Sequence, residues 1–158
     1  MKTTIKTSVL KSMMSKVIKG VANNKMLPVT SLIGIEKEDN VLRLMATDSL
    51  NTIIVKEQIG ENDNFSVTMN ADLLYKLVSK TTKDTITFEV NDDSIVIKAD
   101  GKYSVELILD ENGNAYTFPK PNLNMDDFKL DGVLSKDNID TTLKTNSMSV
   151  SSLFSDEC

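Results

Sequence analysis

At 158 residues, with 40% hydrophobic and 26% charged side chains, the chain has room for one well-packed domain and the composition of an ordinary soluble protein. No run approaches the roughly 18 apolar residues of a membrane span, the N-terminus lacks the apolar stretch of a secretion signal, and the single cysteine, Cys158, excludes an intrachain disulfide, so a cytoplasmic setting is expected. Histidine is absent, which removes the commonest general base and the commonest metal ligand, and the net charge of −5 hides an opening segment free of acids that carries Lys2, Lys6, Lys11, Lys16, Lys19 and Lys25.

Residues 2–7 read as a short strand. Residues 8–22 then carry Val9, Leu10, Met13, Met14, Val17, Ile18 and Val21 at helical spacing. Ser8 is the expected N-cap, and Gly20 with Asn23 and Asn24 marks the end. Strands are expected at 31–36, 41–47 and 50–57, with Lys37-Glu38-Asp39-Asn40 turning between the first two and Asp48-Ser49 before the third.

The same order then recurs. Phe65, Val67 and Met69 alternate as a half-buried strand, and Asn70 caps a short helix carrying Leu73, Leu74, Leu77 and Val78, with Asp72 near its positive end and its stripe taken through Leu73 and Leu77. Strands at 85–90, 94–98 and 102–109 follow, separated by Asn91-Asp92-Asp93 and Asp100-Gly101. A repeat of about sixty residues, each with one helix and four strands, predicts an α+β fold in which two β-α-β-β-β units pack both helices on a shared antiparallel sheet. Residues 110–127 read as a linker. A third round is expected from Phe128–Val133, a helix capped by Ser135 with Ile139 and Leu143, and a strand at 148–154.

The helix wheel at 8–22 sets Lys19 opposite the apolar stripe, with Ser12 and Ser15 beside it and Lys11 and Lys16 on the shoulders. Lys76 and Lys80 lie off the stripe of the second helix, and Lys83 follows it. Lysine is a flexible, hydrated point charge suited to sequence-blind attraction to phosphates, and Arg43 is the sole arginine, which argues against specific base reading. Asp110-Glu111-Asn112-Gly113-Asn114 opens like a calcium loop but has Ala115 and Pro121 where such a loop needs glycine and glutamate, so the reading is rejected. Asp48, Asp92-Asp93 and Asp126-Asp127 read as turn or linker residues, and Met13, Met14, Met45 and Met69 as core.

In order and spacing, several segments resemble the bacterial DNA polymerase III β sliding clamp family. They are the opening Met1-Lys2-Thr3-Thr4-Ile5, then Lys25-Met26-Leu27-Pro28-Val29, Leu42-Arg43-Leu44-Met45-Ala46-Thr47-Asp48, Val67-Thr68-Met69-Asn70-Ala71-Asp72-Leu73-Leu74 and Tyr116-Thr117-Phe118-Pro119. The resemblance covers most of residues 1–125. It implies a DNA-clamp fold and a non-catalytic processivity role without cofactor or metal. Partners on that basis are double-stranded DNA, a DNA polymerase and a clamp loader, reached through the full-length protein, and copies of itself in a homo-oligomeric ring. The same resemblance implies that helix faces meet DNA, through Lys11, Lys16, Lys19, Lys76, Lys80 and Lys83, with Asn24 and Lys25 in a loop that touches DNA in family members. It also makes Tyr103 and Val105, on the outer strand, the expected oligomer contacts. Residues 1–125 are then the first clamp domain and 126–158 the truncated start of a second. Such a chain lacks the partner-peptide cleft, and an interaction module that has lost ring formation is the alternative.

Overall fold

The computed structural model describes residues 1–60, 63–121, 133 and 135–153, with side chains described as far as residue 145. The first compact unit, Met1–Pro121, contains two four-stranded antiparallel sheets and two helices. In chain order the elements are β1 (Lys2–Lys6), α1 (Thr7–Val17), β2 (Leu32–Glu38), β3 (Val41–Thr47), β4 (Thr52–Gln58), β5 (Phe65–Asn70), α2 (Ala71–Lys80), β6 (Thr85–Val90), β7 (Ser94–Lys98) and β8 (Lys102–Glu106). The β-α-β-β-β repeat is present, but the units do not share one sheet. The strand orders are β1-β6-β7-β8 and β4-β3-β2-β5, so each repeat lends its first strand to the sheet of the other.

The loan is symmetric in register. Thr3 and Ile5 face Phe88 and Ile86 across one seam, while Val67 and Met69 face Ile35 and Ile33 across the other. Alternation then sends Ile5, Ile86, Phe88, Ile95 and Ile97 from one sheet, and Ile33, Ile35, Leu42, Leu44, Val67 and Met69 from the other, into a single core with the helices. From α1 the core takes Leu10, Met13, Met14 and Val17, and from α2 it takes Ala71, Leu74 and Val78. The buried stripe of α2 is therefore Leu74/Val78 rather than Leu73/Leu77: Leu73 is 37% exposed and Leu77 is half-buried. Two leucines in tandem offer two equally good i, i+4 stripes, and only tertiary packing selects between them.

Several boundaries differ from expectation. Helix α1 starts at Thr7 after an N-cap at Lys6, so Ser8 lies inside it, and a 3-10 turn at Ile18–Gly20 tightens its end. Gly20 is buried there under Ile53, so close that a β-carbon would lie 3.1 Å from it. Lys37 belongs to β2, opposite Leu42 and Phe65, and is 1% exposed; the turn is confined to Asp39, at φ 51°, and Asn40. Strand β8 ends at Glu106, and a lone bridge between Leu109 and Ala115 closes the loop beyond it.

Residues 115–120 return over the outer face of β2 and β3. There Phe118, 2% exposed, packs against Gly34 and Met45, which places Met45 under this strap and outside the principal core. Glu36 on the same face meets Arg43 and Lys120.

The second unit, Asn122–Cys158, contains α3 (Lys136–Leu153). Ser135 caps it as expected, its hydroxyl accepting from the Asn138 N–H at 3.2 Å. Ile139 and Leu143 lie on this helix and are exposed. The strand expected at 148–154 is helical through Leu153: Ser-Met-Ser-Val-Ser-Ser-Leu alternates, but a run this short fits either period. Most of the strand expected at 128–133 lies outside the described residues, as do Asp126-Asp127.

Candidate nucleic-acid interface

The lysines at issue sit on the side of the helices turned away from the core. In α1 the core takes the face through Leu10, Met13 and Val17, leaving Ser12, Ser15 and Lys16 exposed, with Lys19 exposed on the following turn. No acid lies in the first turn of α1, and Lys16 sits in its last turn, where the negative end of the helix dipole favours a cation. Lys76 and Lys80 are exposed on α2, and Lys83 is exposed in the loop beyond. Counted from the first residue of each helix, Lys16 and Lys80 occupy the same position of the two repeats.

Lys11 behaves differently. It is half-buried, and its Nζ donates to the Thr81 carbonyl at 2.9 Å, so it ties α1 to the C-terminal end of α2. Lys25 and Asn24 are exposed in the loop after α1. Asn24 does not cap the helix; its Oδ1 accepts from the Met26 N–H at 3.0 Å and its carbonyl from the Leu27 N–H at 3.0 Å, which makes it a turn residue.

The charges on the sheets are arranged otherwise. On the outer face of β1-β6-β7, Glu89 meets Lys98 at 2.7 Å and Lys2 at 3.9 Å, and the Lys98 hydrogen bond holds its carboxyl below the usual range. On β2-β3, Arg43 lies 2.8 Å from Glu38 and 3.6 Å from Glu36. Among the described residues Lys16, Lys19, Lys25, Lys76, Lys80 and Lys83 enter no ion pair. The described ion pairs thus lie on the sheets and the returning strap, and the exposed lysines of the helices take part in none. That contrast was invisible in the sequence, where Lys98 and Lys16 look alike.

Strand β8 is an edge, as expected. Val105 pairs with Ile95 and packs half-buried on the core, whereas Tyr103 is 41% exposed. Asp48, Asp100 and Asp110 accept local backbone hydrogen bonds. Asp48 Oδ1 accepts from the Leu50 and Asn51 N–H groups at 2.9 and 2.6 Å, and the Asn51 backbone bond in particular lowers its pKa. Asp110 Oδ1 accepts from Asn112 and Asn114, both at 2.9 Å. Asp100 takes the Thr82 and Lys83 N–H groups at 3.0 and 3.2 Å, and its pKa is lowered chiefly by the Thr82 bond. Among the described residues no three His, Cys, Asp or Glu side chains cluster as a metal site would require, and no helix is long and apolar enough to cross a membrane.

The family profile described as DNA polymerase III beta subunit, N-terminal domain, matches residues 1–138. Comparison with curated protein sequences finds no match. Among solved structures, the β subunit from Thermotoga maritima is 23% identical with a TM-score of 0.60, covering 66% of this chain and 29% of its own. The sliding clamp from Pseudomonas aeruginosa is 22% identical with a TM-score of 0.63 over 77% of this chain and 32% of its own. The Helicobacter pylori β clamp is 18% identical with a TM-score of 0.60 over 85% of this chain and 33% of its own. The chain spans about a third of the length of these structures and shares their fold over one domain. It belongs to the DNA polymerase III β-subunit family, through the N-terminal domain, and that family is non-enzymatic.

Proposed function

We propose that this clamp-family domain serves DNA replication as part of a sliding clamp, holding a polymerase on duplex DNA by topology and diffuse electrostatics. The observation that carries the reading is the unpaired positive charge of the helix face, with Lys16, Lys19, Lys76, Lys80 and Lys83 exposed and every ion pair described lying elsewhere. Flexible ammonium groups beside small hydroxyls attract phosphates without fixing a register, which is what a protein that slides requires. Lys25 and Asn24 extend the surface into the loop after α1. Lys11 adds charge at its edge while serving the helix contact.

Continuation of the sheet across the β8 edge, with Tyr103 and Val105 at the seam, is our reading of how copies or further domains join into a ring. Polymerase and clamp loader are the partners this role requires. Residues 1–125 act as the first clamp domain on this reading, and 126–158 as the start of the next. The test is duplex-DNA binding by fluorescence anisotropy at low salt, with Lys16→Glu/Lys19→Glu against wild type. We expect at least a tenfold loss of affinity and a shallower salt dependence, with unchanged circular dichroism; undiminished binding would overturn the assignment of the helix face.

A further inference from the structure

The groove between the two helices is built from matched residues of the two repeats. It holds about 190 Å³ and is lined by Lys11, Met14 and Ser15 of α1 and by Tyr75, Val78 and Ser79 of α2. Counted from the start of each helix, these are the fifth, eighth and ninth residues of both, so each lining residue has its counterpart across the groove. The helices run antiparallel, since the start of each meets the loop that follows the other. The groove thus lies on the two-fold axis that relates the repeats, with Met14 and Val78 buried in it and Ser15 and Ser79 exposed at its rim.

The match breaks at one pair. Lys11 commits its ammonium group to the Thr81 carbonyl at 2.9 Å. Its counterpart Tyr75 is 42% exposed and enters no hydrogen bond among the described residues. The serines are committed as well: the Ser15 hydroxyl donates to the Ser12 carbonyl at 2.9 Å, and the Ser79 hydroxyl to the Lys76 carbonyl at 3.3 Å. A hydroxyl has one proton to give. Among the described residues the Tyr75 phenol is therefore the uncommitted donor of this groove, and Lys16 and Lys80 follow the two serines directly in the chain. A tyrosine side chain is short of rotatable bonds, so it gives up little entropy when its hydroxyl takes a partner.

We propose that Tyr75 donates its phenol hydroxyl to a backbone phosphate of duplex DNA, an uncharged contact between Lys16 and Lys80 that α1 does not repeat. The assignment rests on the helix face being the DNA surface, and it adds to that surface a contact that releases no counterion.

The experiment uses the full chain with 3-fluorotyrosine in place of its three tyrosines, read by fluorine NMR as a short duplex DNA is added at low salt. Tyr75→Phe identifies the Tyr75 resonance and removes only an exposed hydroxyl. The Tyr75 signal should shift saturably with duplex, while that of Tyr103 on β8 stays in place. By anisotropy, Tyr75→Phe should weaken duplex binding about fivefold at every salt concentration and keep the wild-type salt slope, because no charge is lost. Lys16→Glu/Lys19→Glu should instead make that slope shallower. An unmoved Tyr75 signal while anisotropy reports binding, or undiminished binding by Tyr75→Phe, would overturn the proposal and leave the helix-face reading standing. A loss confined to single-stranded DNA would overturn it in favour of bases stacking on the ring. Failure of the wild-type chain to bind duplex would remove both readings.

Discussion

Gly34 and Phe118 occupy adjoining space so tightly that a β-carbon on Gly34 would lie 2.6 Å from the Cβ of Phe118. The outer face of β2 is therefore shaped to receive the returning strap. Gly34→Ala should cost about 1–3 kcal/mol by overpacking. Phe118→Ala should cost about 3 kcal/mol by leaving Met45 and Gly34 uncovered. In urea unfolding the double variant should lose less than the sum, because the second close contact, 2.7 Å to the ring Cγ, disappears with the ring and only that to Cβ remains.

Lys11 and Lys16 lie on the same helix and should respond differently to truncation. Lys11→Ala removes the bond to the Thr81 carbonyl and should lower stability by about 1 kcal/mol. Lys16→Ala removes an exposed, unpaired charge and should stay within about 0.5 kcal/mol of wild type. Thermal unfolding in parallel with DNA anisotropy separates the two: Lys16 should matter for binding and Lys11 for both.

Removing the Asn70 cap by Asn70→Ala should cost about 1 kcal/mol and raise hydrogen exchange in the first turn of α2. The α1 start has no side-chain cap to lose, so Lys6→Ala should leave stability nearly unchanged.

The pKa values of Asp48, Glu89 and Asp100 are all lowered in the folded chain. A group held lower when folded stabilises the fold above its unfolded pKa, and that contribution fades as pH falls toward the folded value. Stability should therefore be level from neutral pH to about 5 and fall below about 4. Asp100→Asn, which keeps the shape but not the charge accepting from Thr82 and Lys83, should flatten the acid limb in urea titrations between these values.

Hydrophobic spacing located the eight strands and two α-helices of the first unit to within a few residues, though not the 3-10 turn at Pro28–Ser31, because alternation and helical stripes report which faces are buried. It could not report partners. Ile5 alternates the same way whether its strand pairs with β2 or with β6, so the exchange between sheets had no signature. Lys37 was assigned to a turn by residue type, yet its register between Leu42 and Phe65 buries it. For the candidate interface, the sequence showed which lysines lie off the apolar stripe, but not that Lys11 is engaged with Thr81.

The exchanged first strand bears on how the protein is made. Met1 donates to the Val90 carbonyl at 3.0 Å across 89 positions, and β1 pairs only with β6. During synthesis the opening residues leave the ribosome long before their partner strand exists, so the sheet built around β6 and β7 can gain its first strand only after β6 has emerged. Each repeat alone would lack a strand that its sister holds. A nascent chain halted before Val90 should therefore leave β1 without its full partner strand.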